Sequence, residues 1–340
     1  LPAPRTMKLP LLRKLTRIFM VLLALALVVL LSFRISPWPG ALLIRFLFDK
    51  GGVAANEALA KHVPPGLVER LDLVYDPNDP DAKLDLFLPP AEGRTGPPAI
   101  TVIWIHGGAY ISGAKEQIAN YARVLAGRGF AVVGIDYSIA PGARYPVPLH
   151  QANAALGYLR AQAAELGIDG SRLVLAGDSA GAHLSAQLAN AIRVPAYAKQ
   201  VGIEPSVPAQ SLVGVALFCG PYGIDGMDLS GDFGGFMRTV LWAYLGTKEF
   251  ADDPRIDAFN VARHVTNAFP PAFISVGNID PLAPQSYALA EALKARGAKV
   301  DTLFFPADHA PALNHEYQFN LDTDAGKLAL ERLVAFLKGR

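Results

Sequence analysis

The segment Gly177-Asp178-Ser179-Ala180-Gly181 constrains this chain more than any other. It follows an apolar run, Leu173–Ala176, that reads as a strand, and it leads directly into an alanine-rich stretch, Ala180–Ile192, that reads as a helix. A serine on so short a strand-to-helix turn is forced into a strained backbone conformation, and the turn closes only where the flanking positions lack bulky side chains. Hence glycine stands two places before the serine and two places after it. The hydroxyl is then exposed at a sheet edge, and the N–H of Ala180 at the helix N-terminus faces the same space.

The chain beyond Gly51-Gly52 supplies the sheet that such a junction needs. Short β-rich runs alternate with helical ones, the pattern of a mostly parallel sheet with helices on both faces. Strands are expected near Leu71–Tyr75, Leu84–Leu88, Ala99–Ile105, Ala131–Asp136, Leu173–Ala176, Val213–Phe218, Ala272–Val276 and Val300–Phe305. The third to fifth and the last three lack polar alternation, as strands buried on both faces do. Helices are expected at Gln117–Gly127, Leu149–Leu166, Ala180–Ile192, Pro284–Arg296 and Asp324–Leu337, the last capped by Asp322-Thr323-Asp324 and the one before it ended by Gly297. The reading is an α/β fold with an eight-stranded sheet flanked by helices, one domain over residues 51–340. Gly220 to Pro270, rich in Gly, Asp and aromatics, interrupts the alternation and is expected above the strand ends as a lid insertion over about 220–270. Pro64-Pro65 and Pro89 to Pro98 read as loops.

Composition narrows the function classes. Of 340 residues 51% are hydrophobic and 18% charged, which suits a large core plus a lipid-facing piece and not a disordered chain. The net charge of +1 gives no field to recruit nucleic acid. A single cysteine, Cys219, rules out an intrachain disulfide and a cysteine-based zinc cluster; next to the run Leu212 to Phe218 it reads as a buried small hydrophobe.

Residues 1–50 read as a basic segment followed by a membrane anchor. From Ile18 to Phe33 every residue but Ser32 is apolar, with Arg13, Lys14 and Arg17 before the run and Arg34 after it. Such a run spans roughly 24 Å, short of the ~30 Å hydrocarbon core unless the flanking arginines snorkel and Leu15 joins the helix. A cleaved secretory signal would need a small-x-small site after the run; none follows Phe33, and Ala24-Leu25-Ala26 lies inside it, so an uncleaved anchor is expected. The preceding basic residues would stay cytoplasmic and the remainder lie outside, although Arg34, Arg45 and Lys50 weaken the asymmetry. Met7 is a candidate initiator. Trp38 and Ala41 to Phe48 read either as an interfacial segment or as a short helix packed on the α/β domain that follows.

His106-Gly107-Gly108-Ala109-Tyr110 ends the strand Ala99–Ile105. A Gly-Gly pair leaves backbone N–H groups uncovered, so Gly107 and Gly108, with Ala180, are the candidate donors to a developing oxyanion. His106 reads as a residue that orients this loop.

Together these motifs resemble the carboxylesterase and hormone-sensitive-lipase-like branch of the α/β-hydrolases. Asp136-Tyr137-Ser138-Ile139-Ala140-Pro141, Tyr145-Pro146 and Gly277-Asn278-Ile279-Asp280-Pro281-Leu282 extend the likeness over most of the chain after Leu71. The chain departs from the family pattern at Ala109, which replaces the third glycine of His-Gly-Gly-Gly, and at Gln151-Ala152-Asn153, which replaces a Glu-Asp. The resemblance implies a serine hydrolase acting on a small-molecule ester, with Ser179 as nucleophile and Asp280 as the acid of the triad, in the chain order Ser, Asp, His. His309 and His315 both lie in the loop after the last strand. His309 follows Phe305-Pro306-Ala307-Asp308, and His315 precedes Glu316-Tyr317, which resembles the family's His-Gly-Phe. The longer downstream match favours His315, with His309 as a pocket or loop residue. Asp178 is too early in the turn to be the acid and is expected to bond nearby backbone. No metal or organic cofactor is called for. The same triad serves amidases, peptidases and acyltransferases, and members of the fold that have lost it serve as binding modules; serine, acid and histidine are all present here. Phe233, Phe236, Trp242 and Tyr244 in the lid read as an acyl or aryl pocket or as ordinary core.

Overall fold

The structure is a computed structural model that describes residues 9–92 and 96–340; Met7 and part of the loop expected over Pro89 to Pro98 lie outside the described residues. Its strands are β1 (Val68–Val74), β2 (Lys83–Leu88), β3 (Thr101–Ile105), β4 (Ala131–Ile135), β5 (Leu173–Asp178), β6 (Leu212–Phe218), β7 (Ala272–Val276) and β8 (Val300–Phe304). The longer helices are α1 (Leu9–Ile35), α2 (Trp38–Leu59), α3 (Ala119–Ala126), α4 (Val147–Ala161), α5 (Ser179–Arg193), α6 (Gly231–Leu245), α7 (Ala283–Ala295) and α8 (Asp324–Lys338). All eight strands stand where the apolar runs place them.

They form one sheet in the order β1-β2-β4-β3-β5-β6-β7-β8, antiparallel at its first two pairings and parallel across the rest. Period-two alternation feeds two cores. Ile103, Ile105, Leu173 and Leu175 enter one, with α4 and α5 above them, while Val102, Trp104, Val174 and Ala176 enter the other, with α3 and α8. From β3 the chain steps to β4 on one side, then returns to β5 on the other. Such a switch point opens a crevice beyond the carboxyl ends of the neighbouring strands, where ligands of open α/β sheets bind. Ile105 is level with Gly177, so the segments after β3 and β5 emerge together at that crevice.

The crossing of α5 over β3 is backbone against backbone. A Cβ on Gly181 would lie 1.9 Å from the Ile105 carbonyl oxygen and 2.5 Å from that of His106; one on Gly177 would lie 2.5 Å from the Gly181 carbonyl carbon. Ser179 itself has φ of 51°, a left-handed conformation that L-residues adopt only when the surroundings impose it.

The domain boundary expected between residues 50 and 51 falls inside α2, which runs through Gly51-Gly52 without a break. The helix is hydrogen-bonded to the sheet domain through polar groups: Arg45 donates to the carbonyls of Ile111 (2.8 Å) and Ala140 (2.9 Å), Asp49 accepts from the Gly113 amide (3.2 Å), and Asn56 accepts from the Asn120 amide (2.8 Å). Residues 220–270 carry α6 and the short helices Ile256–Phe259 and Val261–His264, and Phe48 of α2 meets Phe236 of α6 with ring centroids 5.7 Å apart. Ahead of α2, Leu12–Ile35 is a 24-residue span that holds an 18-residue window of mean hydropathy 2.8 with none of that window buried. At 1.5 Å per residue it reaches about 36 Å, longer than the Ile18–Phe33 run read from sequence because the turns bearing Arg13, Lys14 and Arg17 are also helical.

Gly181→Ala is expected to destabilise the protein by about 3 kcal/mol or more, read as a lowered denaturant midpoint. Gly51→Ala, in α2 with open space where its Cβ would stand, is expected to stabilise it by about 0.5–1 kcal/mol.

Candidate active site

Three loops converge on Ser179. After β7 the chain carries Asp280, and after β8 it carries His315; the two loops are strapped together by the Leu313 amide donating to Asn278 Oδ1 (2.8 Å) and the Ile279 amide donating to the Leu313 carbonyl (3.2 Å). Gly277 permits the approach, since a Cβ there would stand 2.3 Å from the Leu313 carbonyl oxygen. Asp280 is 4% exposed. Its Oδ1 accepts from the Leu282 amide (2.8 Å), which leaves Oδ2 to accept from His315 Nδ1–H (2.7 Å). The opposite ring nitrogen, Nε2, lies 3.0 Å from Ser179 Oγ and accepts its proton in the hydrogen bond. His309 is outside this chain; its ring packs on Phe305 at 4.7 Å and its carbonyl accepts from Asn278 (3.3 Å). Cys219 Sγ comes within 4.8 Å of the Asp280 and His315 donor atoms, a grouping that a metal would also fit. Both ring nitrogens of His315 are already engaged, so hydrogen bonding accounts for the cluster. Burial pushes the Cys219 thiol up to about 11, in keeping with a buried hydrophobe.

On the other side of Ser179 lies the loop after β3. Gly108, Ala109 and Tyr110 have φ of 100°, 55° and 60°, and this left-handed run turns successive amides toward one side. Among the described residues the amides of Gly107, Gly108 and Ala109 donate to no protein acceptor, nor does that of Ala180 at the start of α5. The Ala109 amide adds to the three expected donors. His106 stacks on Tyr137 at 4.3 Å and its Nδ1 bonds the Gly107 carbonyl (2.7 Å); burial lowers its pKa to about 4, so the ring is a neutral brace for the loop. Tyr110 ties the far end to α5 by donating to His183 Nδ1 (2.8 Å), and His183 Nε2–H donates to the Phe259 carbonyl (2.9 Å).

Asp178 and Glu316 are the charges that sequence reasoning misjudged or missed. Asp178 bonds the Trp104 indole N–H (2.7 Å) and not the nearby backbone. Burial, with the Glu316 carboxylate beside it, raises the Asp178 pKa well above its ordinary value. Glu316 has φ of 58° and stands where the resembled motif has glycine. Its Oε1 is 3.8 Å from His315 Nε2. Burial opposes protonation of His315, but the Cys219 side chain, the bond to Asp280 and the Glu316 carboxylate raise its pKa well above the ordinary imidazole value. Since Cys219 is a neutral thiol in the working range, Asp280 and Glu316 supply the charge.

Two cavities meet at Ser179 and His315, with Phe48 between them. One, of about 290 Å³, is walled by α2 and by Gly107, Gly108, Asp178 and Glu316. The other, of about 210 Å³, is apolar, walled by Phe233, Phe236, Met237, Val240 and Leu282. Of the four lid aromatics singled out in the sequence, Phe233 and Phe236 line this cavity. Tyr244 is core, stacked on Tyr110 at 4.0 Å, and Trp242 lies under the Lys248 ammonium at 4.4 Å.

A family model for the alpha/beta hydrolase fold matches residues 102–310, more than half of the chain. The chain is an α/β-hydrolase. An acetyl esterase of Salmonella choleraesuis (strain SC-B67) is 30% identical to this hydrolase over 234 residues, covering 66% of this chain and 69% of the relative. Among solved structures it is similar to esterase B from Lactobacillus rhamnosis (HN001), with TM-score 0.74 and 25% identity over 88% of this chain and 95% of the other. The same esterase with a C4-C4 SN3 tributyrin phosphonate gives TM-score 0.74 and 25% identity over 88% and 96%.

Replacing Glu316 by Gln removes one of the two anions facing the His315 ring. The ring pKa is expected to fall by about one unit, measured by NMR titration of the imidazole protons.

Proposed function

We propose that this α/β-hydrolase cleaves carboxylic esters of small molecules through an acyl-enzyme. The observation that carries the reading is the hydrogen-bonded series Ser179 Oγ, His315, Asp280, at 3.0 and 2.7 Å, beside unpaired backbone amides. Ser179 is the nucleophile. His315 takes its proton as Oγ attacks the acyl carbonyl, and Asp280 fixes the tautomer and stabilises the imidazolium. The amides of Gly107, Gly108 and Ala180 hold the oxyanion, and loss of one such donor raises the barrier by about 2.7–4 kcal/mol. His315 then protonates the departing alcohol, and a water, activated by the same ring, releases the acid and regenerates Ser179. The apolar cavity under α6 suits the acyl or aryl part of the substrate, with residues 220–270 as its lid. Relatives that are esterases support esters over amides.

α1 is read as a single membrane anchor. Its length and its 18-residue window of mean hydropathy 2.8, none of it buried, support this, and Arg13, Lys14 and Arg17 ahead of the apolar run favour a cytoplasmic start with the hydrolase domain on the extracytoplasmic side.

Fluorophosphonate should label the purified protein and fail to label Ser179→Ala, which keeps its fold but loses hydrolysis of p-nitrophenyl esters; labelling of the variant would overturn the assignment. His315→Ala is expected to lower kcat by a factor of about 10⁴ or more, whereas His309→Ala retains most activity. The base must be neutral, so kcat/KM rises with pH through the raised His315 pKa, and Glu316→Gln should carry that limb to lower pH.

A further inference from the structure

The inner face of α2 joins apolar and polar contacts with the hydrolase domain: Ala41 and Leu59 are buried in its cores with Ile44 packed alongside, and Arg45, Asp49 and Asn56 are each hydrogen-bonded to it. The outward positions of α2 in the first three turns are apolar: Leu42, Leu43 and Phe46 are 51%, 55% and 67% exposed. Their spacing puts them on one stripe. Stripes of this size on a globular surface mark something that covers them.

The covering partner follows from connectivity. Only Ser36 and Pro37 separate α2 from α1; the last helical bond of α1 runs from the Ser36 amide to the Ser32 carbonyl, and α2 opens with the Ala41 amide donating to the Pro37 carbonyl. Wherever α1 leaves a bilayer, the apolar stripe of α2 begins at that surface. Half-exposed Trp38 opens the stripe, and Lys248, which bonds the Arg34 carbonyl, sets its ammonium over Trp242 at the same end. Tryptophans and basic side chains of this kind populate the headgroup region. The stripe also leads to the site: Leu47 is exposed and lines the larger cavity, and Phe48 lines both.

We propose that the outer face of α2 lies in the headgroup–acyl boundary of the membrane and that the esters hydrolysed at Ser179 enter from the bilayer, past Leu47 and Phe48. The proposal rests on the reading of α1 as an anchor and adds a substrate class, esters dissolved in lipid. It makes α2 an interfacial helix as well as a wall of the site.

The test uses the full chain in palmitoyl-oleoyl phosphatidylcholine vesicles and two acetate esters, water-soluble p-nitrophenyl acetate and bilayer-dissolved oleyl acetate, so that acyl preference cancels. The triple variant Leu42→Gln, Leu43→Gln, Phe46→Gln should stay on the vesicles and hydrolyse p-nitrophenyl acetate within twofold of the parent, yet lose at least tenfold on oleyl acetate. Equal turnover of oleyl acetate by parent and variant would overturn the proposal and leave the anchor standing. A parent that does not sediment with vesicles would remove the anchor and the proposal together. Unchanged vesicle turnover with an altered oligomeric state in detergent would assign the stripe to a second copy of the chain, against the proposal. Should the variant misfold, brominated phosphatidylcholine decides: it should quench a Trp38 emission component that Trp38→Phe abolishes, and an unquenched Trp38 overturns the reading.

Discussion

Gly181 at the start of α5 lies, main chain against main chain, so tightly on the end of β3 that a methyl group would overlap the Ile105 carbonyl. Everything at the site inherits its position from that contact. It holds the first turn of α5 beside the loop after β3, so that the amides of Gly107, Gly108 and Ala180 share one small space. It also forces Ser179 into left-handed φ, which aims the hydroxyl away from its own helix and toward His315. Strain of this kind costs of order 1–3 kcal/mol and persists only where packing over-determines it; here the fully buried β5 and α5 do so.

Around this fixed centre the ionisable groups are sorted by burial. His106 and His183 have their pKa values lowered to about 4 because burial outweighs what opposes it, the Gly107 carbonyl and the Glu116 and Asp49 carboxylates at His106 and the Phe259 carbonyl at His183. His315 is also desolvated but has Asp280 and Glu316 beside it, and it moves the other way. Asp178, enclosed between the Trp104 indole and Glu316, is pushed toward its neutral form by burial and by that neighbouring carboxylate. Its carboxyl group fills the space behind Gly107.

The sheet was legible because β3 to β7 are buried on both faces and read as apolar runs, whereas β1 is largely exposed and β8, expected to be buried, is half-buried at the sheet edge; the Gly-x-Ser-x-Gly turn was legible because its glycines answer a steric demand. The pairing of Asp280 with His315, and not His309, rested on a family likeness; the strap through Asn278 that brings them together has no local signature. Two helices were read incompletely, for physical reasons. α6 lay within the lid insertion, whose glycines gave it no helical signal, yet Gly234 is there because a Cβ would overlap the Leu229 carbonyl. Of α2 only Trp38 and Ala41 to Phe48 were offered as a short packed helix, because the Gly51-Gly52 pair read as a domain boundary. Glu316 was detectable in principle, as the non-glycine residue at a position where the resembled motif has glycine.

The contacts of α2 explain why a helix outside the sheet alternation belongs to the hydrolase domain. Its inner face buries Ala41 and Leu59 in the two cores, with Ile44 packed alongside, and adds hydrogen bonds such as those of Arg45 to two main-chain carbonyls, partly screened from water. Bonds of that sort fix orientation more strongly than they add affinity, since each competes with water when the helix lifts away. α2 is therefore held in register on the domain while Leu42, Leu43 and Phe46 stay exposed on its outer side. Phe48 links that register to α6, so a movement of the helix relative to the domain would alter both cavities at once. The walls of the two cavities at Ser179 and the exposed apolar stripe are in this way properties of one element.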